Sequence, residues 1–300
     1  METAAGATQR RIHYPLMNDS GGLVGTLESA QTEGPDVTYI DVFKDLSLCN
    51  HRLYRQGRTP MVRVGFIGPF SNDISYATVA VQTLPNTWPV RKAHQLALKK
   101  YLSATKEERR ATGQARWHDF KVFFEDGHRT GTTLNPVGIT TTDSEWNYSE
   151  IYNHTTSANI QFKMIGPTTT DAYGIVDQYD KSEDQDIDQP RNPGNVSPYE
   201  GLTADREQEN MDNLLDEGDN PPYNPTNLQT QLLTYAIGVG SGKSDKMVSE
   251  WFPVPCGLLK VMAQVISTAP IAADTTGSFF VEVMPGDYKG VHATPMGLKL

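Results

Sequence analysis

Cysteine is nearly missing from this sequence, which has only Cys49 and Cys256 among its 300 residues. Two thiols cannot form the disulfide framework that stabilises many small secreted domains. No Cys-x-x-Cys pair and no cluster of cysteine and histidine has the spacing of a zinc site, so we predict no metal and no other cofactor. Each cysteine is interpreted as a small buried apolar residue.

Long apolar runs are also missing. No run approaches the 18 residues that a membrane-spanning helix needs, so no membrane contact is predicted. The first residues, METAAGATQRRIHYPL, contain no apolar core of a secretory signal peptide. The Asn-x-Ser/Thr sequons at Asn147, Asn153 and Asn195 are therefore expected to carry no sugar.

Familiar catalytic motifs are missing as well. The seven histidines form no His-Glu-x-x-His pair and the chain has no Gly-x-Ser-x-Gly elbow, so we predict no catalytic residues and no enzyme activity. Asp184, Asp186 and Asp188 have the spacing of the first half of an EF-hand loop. Gln189 and Asn195 stand where that loop needs glycine and glutamate, which favours a solvated acidic loop over a weak calcium site.

The stretch GVGSGKS at 238–244 ends like a phosphate-binding loop. Such a loop has a glycine five residues before Gly242, and that position is Ile237. The loop also opens a long helix, whereas Pro253 and Pro255 follow too soon for one. We interpret this stretch as a glycine-rich loop between two strands.

Charge is unevenly distributed along the chain, whose formal net charge is −10 at pH 7. The segment 177–219 has 14 acidic residues against three basic ones, a net charge of −11. The segment 51–130 has 14 basic residues against six acidic ones, a net charge of +8. Such segments predict either surfaces of opposite electrostatic potential or two ordinary solvated surfaces.

Short segments of alternating or β-branched apolar residues, separated by glycine, proline and asparagine turns, predict many strands. With few helices between them, these strands favour an all-β antiparallel sandwich or barrel in which helices are loop insertions. The predicted strands lie at 36–43, 61–68, 76–84, 118–125, 159–166, 232–239, 247–252, 257–267 and 277–285.

Helical spacing is clearest at 89–113, where apolar residues from Ala93 to Tyr101 mark one face. The segment 45–57 is interpreted either as a short helix with Asp45 as its N-cap or as a continuing strand, because its periodicity does not decide.

The chain is predicted to divide into an N-terminal arm at 1–36 and one domain at 37–300. The arm is polar and rich in glycine, serine and threonine. An acidic insertion at about 177–223 contains a predicted helix at 203–218.

Basic residues are the main candidates for a binding site, because lysine and arginine contact phosphate without reading sequence. Tyr54, Trp88, Tyr101 and Trp117 lie among them and are candidates for stacking on unpaired bases. The predicted nucleic-acid-binding residues are Arg10, Arg11, Arg52, Arg55, Arg58, Arg63, Arg91, Lys92, Lys99, Lys100, Arg109 and Arg110.

Five sequence blocks resemble capsid proteins of environmental circular Rep-encoding single-stranded DNA viruses. The blocks are LSLCNHRLYRQG, VQTLPNTWPVRKAHQLALKKY, RWHDFKVFFED, DNPPYNP and VEVMPGDYKGVHATPM, and they spread over most of the chain. The resemblance implies a single jelly-roll β-sandwich with helical and loop insertions. It also implies self-assembly into an icosahedral shell around single-stranded DNA, inside the host cell. Many such proteins begin with an arginine-rich arm, and this chain does not.

Two other functions are compatible with a β-rich chain. A lectin-like carbohydrate-binding module would use Trp88, Trp117 or Trp146 as a platform for sugars. A β-rich hydrolase would need a site that the motifs do not reveal. In a shell, we expect the basic segment 51–130 at an inner or inter-subunit surface and the acidic insertion at the outer surface.

Overall fold

The structure, a computed structural model, describes most of the predicted domain. The glycine-rich stretch 238–244, the acidic triplet at 184–188 and the predicted helix at 203–218 lie outside the described residues. The described residues are 8–15, 36–67, 74–112, 117–139, 145–153, 158–183, 222–236, 246–267 and 278–297.

Strands outnumber helices in the described residues, and most of the helices lie between the fourth and ninth strands. The helices are α1 (Val42–Asn50), α2 (Trp88–Ala104), α3 (Lys106–Thr112), α4 (Asp126–Thr130) and α5 (Ile175–Glu183), with a 3₁₀ turn at Pro255–Gly257. The strands are β1 (Arg11–Pro15), β2 (Asp36–Asp41), β3 (Arg58–Ile67), β4 (Ile74–Thr83), β5 (Thr132–Thr133), β6 (Glu150–Asn153), β7 (Ala158–Lys163), β8 (Ala172–Gly174), β9 (Gln229–Ala236), β10 (Lys246–Val248), β11 (Phe252–Pro253), β12 (Leu258–Ser267), β13 (Ser278–Val283) and β14 (Ala293–Pro295).

Two large sheets form the body of the protein. The first has the order β1-β13-β3-β10, and β11 and β14 also pair with β3. The second has the order β5-β2-β12-β4-β9 and is antiparallel except for the pair of β2 and β5. A smaller sheet has the order β6-β7-β8. Residues 11–15 of the predicted N-terminal arm thus form a strand of the first sheet.

The strands of the two large sheets pair in a nested order. β1 pairs with β13, β2 with β12, β3 with β10 and β4 with β9, and all four pairs are antiparallel. Each pair lies inside the previous one along the chain, and successive pairs alternate between the two sheets. Strands from both ends of the chain therefore meet in the first sheet, where Arg11 lies opposite Glu282.

The facing sides of the two sheets share one hydrophobic core, as in a β-sandwich. On β3, Val62, Val64 and Phe66 are buried, whereas Arg63 between them lies on the other face because side chains alternate along a strand. Gly65 is needed there, since a Cβ would lie 2.4 Å from a carbonyl oxygen of β10. Other members of this core are Ile12 and Tyr14 from β1, Val79 and Val81 from β4, Leu259 and Val261 from β12, and Phe279, Val281 and Val283 from β13.

The connection between β4 and β9, residues 84–228, has a hydrophobic cluster of its own. The predicted apolar face from Ala93 to Tyr101 lies on α2 and packs into this cluster, although Leu96 remains 43% exposed. Tyr39 of β2 belongs to the same cluster, so the insertion packs against the second sheet. The prediction of helices as loop insertions is confirmed.

The predicted strand at 118–125 is wrong. Within it, Phe123 forms an isolated bridge and the rest is irregular. Val122 and Phe123 are both fully buried, so neither side of the segment faces solvent. The amide N–H of Val122 donates to the side chain of Gln56 at 2.6 Å, a bond that replaces one to a neighbouring strand.

The ambiguous segment after β2 is helical, but Asp45 is not its N-cap. The cap is Asp41, whose Oδ1 accepts hydrogen bonds from the backbone N–H groups of Phe43 and Lys44 at 3.1 and 3.0 Å. Such a cap satisfies amides that have no partner within the helix. Asp45 lies in the first turn, fully buried.

Both cysteines are free thiols. Cys256 is fully buried, as predicted, whereas Cys49 is partly exposed on α1. Among the described helices, none combines the length and the apolar character that crossing a membrane requires.

Candidate nucleic-acid interface

Two of the predicted basic residues share one carboxylate on the outer face of the first sheet. Glu282 accepts hydrogen bonds from Arg11 at 2.7 Å and from Arg63 at 2.9 Å. Burial alone would raise the pKa of Glu282, but these hydrogen bonds hold it below its usual value. The two guanidinium groups lie over the rings of Phe280 and Trp251. Their charge is thus partly neutralised within the protein.

A second group of basic residues surrounds Tyr288. The guanidinium carbon of Arg58 lies 3.8 Å from the centre of its ring, and the side chain of Arg55 lies 3.9 Å from Asp119. Partial burial, followed by repulsion from Arg55 and Arg58, lowers the pKa of Lys289. The sequence interpretation missed Lys289, because it is far from the other basic residues along the chain.

The remaining predicted residues belong to other elements. Arg91, Lys92, Lys99 and Lys100 are exposed on α2. On α3, Arg109 donates a hydrogen bond to the carbonyl oxygen of Leu102. Arg110 forms an ion pair with Glu107 at 3.4 Å. The backbone oxygen of Arg10 accepts a hydrogen bond from the N–H of Val283. The twelve predicted residues are therefore divided among several groups, and only Arg52 lines the cleft described next.

An aromatic–basic cleft of about 270 Å³ lies between α1 and the segments around residues 117–121 and 145–146. Helix α1 ends at Asn50 and is followed by its C-cap His51, whose backbone is left-handed (φ 51°). Together with Ser47, Leu48 and Leu53, the side chains that define the cleft are Lys44, His51, Arg52, Trp117, Lys121, Glu145 and Trp146.

One wall of the cleft is fixed by the N-cap of α1. Trp146 donates from Nε1 to Oδ2 of Asp41 at 3.0 Å, and Gln56 donates to the same oxygen. The ammonium of Lys121 lies 4.5 Å from the centre of the Trp146 ring, a cation–π contact. Burial raises the pKa of Asp41 to about 6, partly offset by these hydrogen bonds and by Lys44. The wall is therefore preorganised.

Trp117 also lines the cleft, and this residue is 59% exposed. The described side chains of the cleft include three cations, Lys44, Arg52 and Lys121, and one carboxylate, Glu145. Burial lowers the pKa of Lys121, while its acidic neighbours oppose the shift. The cleft therefore combines an excess of positive charge with an exposed aromatic surface, which suits an anion that has a flat ring.

Sequence interpretation placed Arg52 and Trp117 among the nucleic-acid candidates but missed Lys44, Lys121 and, for this role, Trp146. The spacing of residues 117–121 could have revealed Lys121. In an extended chain, every second side chain points to the same side, so Trp117 and Lys121 share one side.

A second concavity, an apolar groove of about 340 Å³, lies between α2, α5 and the small sheet. Leu96, Phe162 and Tyr173 line it, with Lys100 and Gln178 as its polar members. It offers less varied chemistry than the aromatic–basic cleft, which we take as the candidate site.

The described residues contain no cluster of three or more metal-ligating side chains. Comparison with protein-family models, with curated proteins and with solved structures finds no match to this chain.

Proposed function

We propose that this chain is a viral capsid protein with a single jelly-roll domain, which self-assembles into an icosahedral shell around a small single-stranded DNA genome. The observation that carries the proposal is the nested pairing of eight strands in two facing sheets. Rolling up one long hairpin produces this order, and jelly rolls contain it as two Greek keys. Viral coat proteins and lectins both use such sandwiches, so surface chemistry has to distinguish them.

Exposed apolar side chains support assembly. Val137 and Leu232 are each 63% exposed, and Trp88 and Tyr152 are 53% and 54% exposed. Large apolar and aromatic side chains are typical of the buried centres of protein–protein interfaces. Among the described strands, β9 is the last of the second sheet, and Leu232 on this strand is our candidate for a contact with a neighbouring subunit.

The aromatic–basic cleft supports DNA as the second partner. Lys44, Arg52 and Lys121 supply positive charge for phosphate, and the exposed ring of Trp117 supplies a stacking surface for an unpaired base. Contacts of this kind are sequence-tolerant, as packaging a whole genome requires.

A carbohydrate-binding module is the second candidate, because Trp117 and Trp146 line the same cleft. Aromatic rings do form platforms for sugars. The surplus of cations in the cleft favours an anionic ligand over a neutral glycan, and places this candidate second.

The whole chain, expressed and purified, tests the proposal by size-exclusion chromatography and negative-stain electron microscopy. We expect uniform shells that contain nuclease-protected DNA. A protein that stays monomeric at all concentrations and binds neutral glycans in preference to DNA would establish the carbohydrate-binding alternative and reject the capsid function.

A further inference from the structure

Glu145 is the one carboxylate among the described side chains of the aromatic–basic cleft. The side-chain amide of Asn147 donates to its Oε1 at 2.7 Å, which orients the carboxylate. A site for phosphate alone gains nothing from a carboxylate, because like charges repel. The ligand should therefore bring a hydrogen-bond donor as well as a negative charge.

A DNA nucleotide meets both requirements, but only for some bases. Cytosine, adenine and guanine have exocyclic amino groups, and a carboxylate accepts hydrogen bonds from them. Thymine and uracil have one ring N–H that lies between two carbonyl oxygens, and these oxygens repel a carboxylate. Glu145 therefore has the chemistry to distinguish the two classes of base.

The dimensions of the cleft fit one base. Its volume of about 270 Å³ lies just below the range for drug-sized ligands. Trp117, which is 59% exposed, offers the stacking surface. Arg52 lines the same cleft and can neutralise the phosphate of the stacked nucleotide.

We propose that the cleft holds one unpaired base of the DNA strand on Trp117, and that Glu145 selects bases with an exocyclic amino group over thymine and uracil. This inference rests on the proposed DNA partner. It adds a base preference to binding that is otherwise non-specific.

Oligomers of deoxycytidine and deoxyuridine test the selection, because the two bases have the same size and differ in the amino and keto groups of one edge. Fluorescein-labelled 15-mers are titrated with the unassembled full chain and followed by anisotropy. We expect the deoxycytidine oligomer to bind about tenfold more tightly, as one base-edge contact provides.

Glu145→Gln is the decisive variant. The glutamine amide both donates and accepts hydrogen bonds. We therefore expect the variant to bind the two oligomers about equally, because deoxyuridine binding becomes tighter. Glu150→Gln is the matched control, since it removes the same charge from an exposed residue of β6 that does not line the cleft. The control should keep the tenfold preference.

The possible outcomes separate the two proposals. Equal binding of both oligomers by the wild-type chain would overturn the base selection and leave DNA binding intact. A preference that persists in Glu145→Gln would overturn the role of Glu145. Binding of neither oligomer, even at low salt, would overturn the DNA partner itself and the selection with it.

Discussion

The hydroxyl of Tyr14 donates a hydrogen bond to Oδ2 of Asp45 across 2.5 Å, and both side chains are fully buried. This bond joins β1 to α1. Among the described residues, Oδ1 of Asp45 has no hydrogen-bond partner. Burial raises the pKa of Asp45 from 3.8 to about 8, so its carboxyl group is protonated at neutral pH.

Asp45→Asn should change how stability depends on pH. The folded protein binds this proton up to about pH 8 because burial raises the pKa, whereas the unfolded chain loses it near pH 3.8. The contribution of Asp45 to the free energy of unfolding therefore falls as pH rises through this interval, by up to about 1.4 kcal/mol per pH unit. The variant lacks this loss. Urea unfolding between pH 6.5 and 8 measures the difference.

Comparison of wild type with Asp45→Asn isolates the contribution of Asp45. Burial raises the pKa of Asp41 only to about 6, and burial lowers the pKa of His94 to about 4 and that of His128 to about 3. These groups contribute equally to wild type and Asp45→Asn, so the difference between the two slopes reports Asp45 alone. Asp287→Asn, an exposed control, should keep the wild-type slope; equal slopes for wild type and Asp45→Asn would contradict the prediction.

Asp126→Asn should lower the free energy of unfolding by about 2 kcal/mol, because it removes the ion-pair partner of the fully buried Lys163. Lys163→Met keeps the apolar stem and removes the charge, so it should stay within about 1 kcal/mol of wild type. In a protein that already carries Lys163→Met, Asp126→Asn should lower the free energy of unfolding only slightly. Chemical unfolding of the four proteins completes the cycle, and additive losses would show that the pair is not coupled.

Trp117→Ala should weaken binding of a mixed-sequence single-stranded 15-mer about tenfold, since stacking of one base on an aromatic ring contributes about 1–3 kcal/mol. Trp88→Ala removes an indole of similar exposure from α2 and should leave the affinity unchanged. Anisotropy titration measures both. If the two variants bind alike, the cleft is not the stacking site.

Arg52→Ala should make DNA binding less sensitive to salt. Loss of one phosphate contact reduces the slope of log K against log salt concentration by about 1. Titrations from 50 to 200 mM salt measure this slope. Lys106→Ala on α3 is the control for an exposed cation outside the cleft, and an identical slope change in both variants would refute a specific role for Arg52.

Leu232→Glu should raise the protein concentration needed for shell assembly about 100-fold, because an unpaired charge is costly to bury in an interface. Ser103→Glu places the same charge on an exposed position of α2 and should assemble normally. Light scattering against concentration measures assembly, and circular dichroism verifies the fold. Shells that form at the wild-type concentration would show that Leu232 lies outside the interface.

The positions of strands such as β3 and β13 could be predicted, because burial of one face imposes an alternating pattern on Val62, Val64, Val281 and Val283. The strands with which β3 and β13 pair could not be predicted. The contact of Arg11 with Glu282 joins residues 271 positions apart, and local spacing does not encode such a pairing. The segment 118–125 misled the prediction because both of its sides are buried. The apolar residues that this burial requires have the composition of a strand.

The candidate site was predictable only in part. Arg52 and Trp117 stand out by residue type, but Trp146 reaches the cleft through its bond to Asp41, an N-cap that a local pattern did not single out. Lys289 lies near Arg58 only because β14 pairs with β3. Tertiary contacts of this kind decide which charges become neighbours.

Because β13 lies between β1 and β3, the ribosome must synthesise the chain as far as β13 before the first sheet can close. A nascent chain that stops early leaves the edges of β1 and β3 without their shared neighbour. The second sheet, whose strands all precede β13 in the chain, can therefore form before the first.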